Sequence, residues 1–149
     1  MATIKSYFLG LLNEPALILT DITVLLINLS LLKLFSNFSE ISISSTSGAD
    51  IRITVNATSV ETNSTSGSDI RIAGTTINHA SSATSGASID AYELESKNVI
   101  VNATSGAGIN IYASEKLDAK ANSGGDIDFK GNPKSVNKNS SSGGDISKI

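Results

Sequence analysis

Several side chains recur in this 149-residue chain at spacings that could do chemistry. Asp50, Asp69, Asp126 and Asp145 each stand two residues after a glycine, and stacked carboxylates offer the oxygen ligands that Ca²⁺ takes. Ser88 and Gly108 interrupt that column, and the nine-residue Gly-Asp repeat of calcium-binding β-rolls is missing. Arg52 and Arg71 lie two residues beyond Asp50 and Asp69. The expected role is ion pairing between successive copies, worth under about 1 kcal/mol on an exposed face.

The single histidine, His79, has no cysteine or second histidine with which to share a metal, and no serine-base-acid order around it. It occupies a position that is apolar in most other copies. The expectation is a local register shift that leaves His79 at the coil margin and turns Ile77 inward. Asp90, Glu93 and Glu95 come nearest to the clustered acids that a carbohydrate-cleaving solenoid needs. No glycine-rich phosphate loop opens a helix, since "SGGD" leads into a strand pattern. The chain therefore reads as no enzyme, with no catalytic residue, cofactor-binding residue or metal ligand assigned.

Thr46, Thr65, Thr84 and Thr104 form an outward row, with Ser44, Asn63, Ser82 and Asn102 two residues earlier on the same face. A regular hydroxyl and amide array can meet a glycan, or order water as an ice-binding surface does. It also suits a plain solvated sheet face, where β-branched threonine is at home. The row lapses to Asn122 and Ser141, which weakens the ice-binding reading. The letters of glycosylation sequons at Asn56, Asn63 and Asn102 are expected by chance in so Asn- and Thr-rich a chain.

These rows exist because the sequence repeats. "SGADIRI" at 47 returns as "SGSDIRI" at 66, then as "SGASIDA", "SGAGINI", "SGGDIDF" and "SGGDISK". The corner glycines Gly48, Gly67, Gly86, Gly106, Gly124 and Gly143 are spaced 19, 19, 20, 18 and 19 residues apart. Three residues after each stands Ile51, Ile70, Ile89, Ile109, Ile127 or Ile146; seven before, Ile41, Val60, His79, Val99, Leu117 or Val136. Side chains two apart share a face of an extended chain. Each period thus holds two short strands and has no room for a helix. One copy cannot bury its apolar face alone, and stacking puts Ile on Ile and Val on Val. The fold class expected is all-β, a parallel β-solenoid of about six coils, roughly 29 Å long at about 4.8 Å per coil.

The glycines suit corners that need positive φ or close approach of the next coil. The serines before them (Ser47, Ser66, Ser85, Ser105, Ser123 and Ser142) are placed to bond the neighbouring corner's backbone. In the last coil Lys138 and Lys148 take inward positions, which blunts an open sheet edge.

Composition narrows the partners. Apolar residues make up 40% and aromatic ones 5%, so the core must be built from Ile, Val, Leu and Ala. A net charge of -3 gives no basic field for a phosphate backbone, and nucleic acid is not an expected partner. Cysteine is absent, which removes disulfides and thiolate chemistry.

Residues 1–40 differ from the repeat domain, 41–149. "ALILTDITVLLINLSLLKLF" has no Ser-Gly corner, and stepping back one period places Ile22, Val24, Leu26, Leu32 and Leu34 in the inward columns of a degenerate coil. Only 11 uncharged residues separate Asp21 from Lys33, against the roughly 20 that span a bilayer. The readings open for this segment are a hydrophobic cap or degenerate coil, a surface for a partner or membrane, a signal or anchor, and a misassigned start.

From about Ser47 onward, and most closely over "SGAGINIYASEKLDAKANSGGDIDFKGNPKSVNKNSSSGGDISK", the chain resembles the bacterial, Bacteroidetes-like head GIN domain family of autotransporter adhesins. Gly108, Ile109 and Asn110 spell the triplet itself. The resemblance implies a β-solenoid of the cell envelope, surface-exposed or secreted, with an adhesive role toward a glycan or surface protein. It supplies no catalytic residues. The alternative is a structural module that self-assembles through residues 1–40.

Overall fold

The computed structural model describes residues 38–149, and the expectations placed on the first 37 residues lie outside the described part. The strands are β1 (Phe38–Ser45), β2 (Asp50–Thr65), β3 (Asp69–Thr84), β4 (Ser88–Thr104), β5 (Gly108–Asn122), β6 (Asp126–Lys130), β7 (Ser135–Ser140) and β8 (Asp145–Lys148). All pair in parallel with the coil one period away, in the order β1 to β6 and then β8, with β7 beside β5. The described residues contain no helix. This is a β-solenoid of about six turns.

The register explains the repeat. Ile51 pairs with Ile70, Ile70 with Ile89, Ile89 with Ile109, Ile109 with Ile127 and Ile127 with Ile146. Their side chains form one buried column with Val60, Val99 and Leu117, and burying each aliphatic side chain stabilises the fold by about 1.5–3 kcal/mol. Val136 departs from that column. It stands over Leu117 in register, yet is 45% exposed because β7 has no further coil above it among the described residues.

Each Ser-Gly corner places two successive residues in the left-handed region, serine at φ 50–57° and glycine at 69–78°. In most corners a backbone N–H then closes the turn, as from Ala87 to the Thr84 carbonyl at 3.3 Å, the pattern of a type I′ turn. The glycine N–H donates to the next coil's serine carbonyl, from Gly48 to Ser66 at 3.2 Å and so on to Gly124 and Ser142. The serines therefore bond the neighbouring corner through the carbonyl. Four of their hydroxyls lie against the preceding threonine hydroxyl instead.

Strands β2 to β5 run 15–17 residues, nearly a whole coil each. The chain thus has a third inward stretch beyond the two expected: Val55 and Ala57, then Gly74 and Thr76, Leu94 and Ser96, and Ala113. Here the 20- and 18-residue spacings are absorbed, as register shifts after Arg71 in the β3–β4 pair and after Ala91 in the β4–β5 pair. Gly74 sits at φ 121° where a Cβ would collide with the Val55 carbonyl oxygen.

The C-terminal end is closed by lysine. Lys138 Nζ donates to the Ile146 carbonyl at 3.1 Å and lies 4.7 Å from the Phe129 ring centroid, while Lys148 Nζ donates to Asn132 Oδ1 at 3.1 Å. An ammonium can cover the end of an apolar column while staying wet.

Two substitutions separate the interior from the surface. Ile109→Asp puts an unpaired charge in the fully buried column and is expected to abolish the cooperative denaturant transition, whereas Thr65→Asp should shift stability by no more than about 0.5 kcal/mol. Gly74→Ala should cost several-fold more than the about 0.5 kcal/mol typical of a surface change, because the collision is with backbone. Urea melts followed by circular dichroism measure all three.

Candidate binding faces and a buried histidine

Three outward faces and one interior cluster carry the polar chemistry. The face before each corner holds the predicted row. Ser44, Asn63, Ser82, Asn102 and Lys120 follow one another in register, and beside them Thr65 pairs with Thr84 and Thr104 with Asn122. Thr46 is exposed; Thr65, Thr84, Thr104, Asn63 and Asn102 are half-buried. Thr46, Thr65, Thr84 and Thr104 hold their hydroxyls 3.2–3.4 Å from those of Ser47, Ser66, Ser85 and Ser105. Ile100, in the next outward row, is 65% exposed and adds an apolar patch to this face.

The face after each corner carries the aspartates. Parallel register sets Asp50 beside Asp69 and Arg52 beside Arg71, like on like, so the expected pairing between copies gives way to a contact along the strand. Arg52 Nη2 meets Asp50 Oδ2 at 3.5 Å, with both side chains more than half exposed. Such a pair contributes little. Among the described residues no three His, Asp or Glu side chains converge into a group that could hold a metal. Further along the face Lys130 Nζ lies 4.1 Å from the Tyr92 ring centroid. Burial raises the Tyr92 pKa, and the carboxylates of Asp128, Asp90 and Asp126 raise it further.

A shallow cleft of about 400 Å³ opens on the third face, with Asn56, Thr58, Thr75, Ile77 and Lys97 in its lining. Ile77 is 44% exposed there. Thr75 Oγ1 donates to Asn56 Oδ1 at 2.9 Å, and Lys97 Nζ reaches Glu115 Oε1 at 4.0 Å. Glu93 and Glu95 project from this side of β4, beyond the register shift that separates them from Asp90.

Ile77's exposure belongs with the main departure from expectation. His79 holds its register, paired with Val60 and Val99, and is 2% exposed, so the histidine is inside and Ile77 outside. Thr62 Oγ1 donates its one proton to Ser81 Oγ at 3.0 Å and so accepts from His79 Nε2, also at 3.0 Å. That arrangement selects the Nε2–H tautomer. Nδ1 is left as a buried acceptor with no hydrogen-bond partner among the described residues. Burial lowers the His79 pKa from the ordinary 6.5 to about 4. Parallel pairing is indifferent to side-chain polarity, and a hydrogen-bonded neutral imidazole with two hydroxyl neighbours fits a gap that other coils fill with isoleucine, valine or leucine.

Taken together, the faces define a class: a stacked β-solenoid that displays polar side chains at fixed intervals. Residues 22–133 match the family described as putative auto-transporter adhesin, head GIN domain, and the chain belongs to that family. No curated protein matches the chain.

His79 makes stability pH-dependent with a definite sign. The folded state keeps the ring neutral down to about pH 4, whereas the unfolded chain takes up a proton near pH 6.5. Stability is therefore fully present above about 6.5 and is lost as pH falls toward 4, by on the order of 3 kcal/mol. Urea midpoints of wild type and His79→Val at pH 7, 5.5 and 4.5 check this. The valine variant should lose less stability on acidification, and equal slopes would contradict a neutral buried ring.

Proposed function

We propose that this protein is a non-enzymatic module of the cell envelope, displayed at the surface, that binds a glycan or a surface protein through many weak contacts. The observation that carries the reading is the row of Asn, Ser and Thr side chains held in register on the face before the corners. Adjacent coils lie about 4.8 Å apart, so that row presents similar groups at a constant step. A repeating ligand can meet such a row at several places at once, and modest individual contacts then add up to useful avidity.

Membership of the adhesin family supports surface placement and a binding role. The polar residues spread along the coils rather than converging on a nucleophile and its base, which favours binding over turnover.

A second reading, self-association through residues 1–40, draws on β1, whose outer edge has no partner among the described residues. Unpaired edges template further pairing. Concentration-dependent sedimentation that disappears when residues 1–40 are removed would favour it.

The main reading is tested by adding protease to intact producing cells, with lysed cells as the control. Loss of the protein from intact cells is the expected result. Protection until lysis would remove surface display and the adhesive role with it.

A further inference from the structure

The face after the corners contains a glycine that the fold does not require. At Gly125 and Gly144 a Cβ would collide with the carbonyls of Ala103 and Ala121. Gly108 differs from both. Its φ lies outside the left-handed region, and a Cβ there would meet nothing within 4 Å. Gly108 is the first residue of β5, where neither backbone conformation nor a close neighbour calls for glycine. Equivalent positions in the other coils hold Asp50, Asp69, Ser88, Asp126 and Asp145.

Gly108 lies between Ser88 and Asp126 in register and leaves an opening in that outward row. Two residues along, Asp90, Asn110 and Asp128 form the next row, each paired to its neighbour. Two further along stand Tyr92 and Tyr112, the latter paired with Lys130. The side chains of Asn110, Asp128 and Tyr112 make no hydrogen bond to another described residue. The opening thus lies at one end of a face that carries carboxylates, an amide and, four residues further along, two phenol rings; Asp126 is exposed and the others are half-buried.

We propose that this opening and its border form a binding site for a glycan that carries no acidic groups. The claim rests on the reading of the protein as a binding module and places recognition on a face other than the threonine row. The chemistry is complementary at each point. A pyranose ring offers an apolar C–H face to a tyrosine ring and hydroxyls that donate to carboxylates, while Asn110 both donates and accepts. The space beside Gly108 admits a ring edge close to the backbone. Charge decides the glycan class: the three carboxylates Asp90, Asp126 and Asp128 border the site and outnumber the two cations beside it, Arg71 paired with Asp90 in register and Lys130 drawn over Tyr92. Burial raises the Asp126 pKa, and the carboxylates of Asp128 and Asp145 raise it further. Uronates, sialylated chains and sulfated chains are repelled there, whereas uncharged or amine-bearing sugars are accepted.

The test is a calorimetric titration of the purified full chain with tetramers of N-acetylglucosamine, glucosamine and galacturonic acid. The first two should bind, and the third should bind at least about tenfold more weakly. Gly108→Leu fills the opening from a position where a Cβ meets nothing within 4 Å, and Tyr112→Ala removes the ring. Each should weaken binding about tenfold or more with the melting temperature unchanged, and Thr65→Asp should leave affinity as it was. No binding of either non-acidic tetramer at about 10 mM, or wild-type affinity in folded Gly108→Leu, would overturn the proposal. Binding lost on changing Thr84 and Thr104 but kept in Gly108→Leu would also overturn it, while leaving the module a binder. The titration uses purified protein, so its outcome is independent of where the protein resides.

Discussion

Every feature of this molecule depends on in-register parallel stacking. Each coil satisfies its backbone donors and acceptors on the coils one period away, which forces equivalent residues to lie over one another. Where the residue is isoleucine, the outcome is a continuous buried column. The same rule acts on charge without discrimination, and places Asp50 beside Asp69 and Arg52 beside Arg71. A solenoid of this kind therefore tolerates few charges per coil, consistent with the 17% charged content of the chain.

The corner is the second half of that constraint. Two left-handed residues reverse the chain tightly enough for the glycine N–H to reach the next serine carbonyl. Glycine adopts such a conformation without steric cost; serine does not, yet holds it in all six corners, which five glycine-to-serine backbone bonds link one to the next. The coils can differ in length only away from the corners, where the register shifts lie. That separation keeps the core column aligned while the third side varies.

Much of this was legible in the sequence. The isoleucine column, the corner glycines and the terminal lysines each follow from a residue type recurring at a fixed offset. The third inward stretch was hidden because Val55, Gly74, Leu94 and Ala113 differ in size, and the register shifts break the count, leaving Leu94 eight residues after its corner glycine where the others stand seven after. His79 misled for another reason: its polarity argued for the margin, but register decides position, and Thr62 and Ser81 supply its partners. Val136 sits in the right column but at the end of the stack, which an offset cannot reveal. Of the candidate binding faces, the threonine row could be read directly. The special status of Gly108 could not, because it rests on what a Cβ would and would not touch.

The proposed function draws on the same stacking, since a rigid stack converts a one-dimensional repeat into flat faces with a constant step. The measurement that tests this account most directly is residue-resolved amide hydrogen exchange on the native protein. Stacking in register predicts the strongest protection in β3, β4 and β5, which have coils on both sides, including the corner amides of Gly86 and Gly106. It predicts weaker protection in β1, β7 and β8, which lie at the ends of the stack among the described residues. Rapid exchange through β3 to β5, or protection of alternate residues as in a strand paired on one side only, would contradict it.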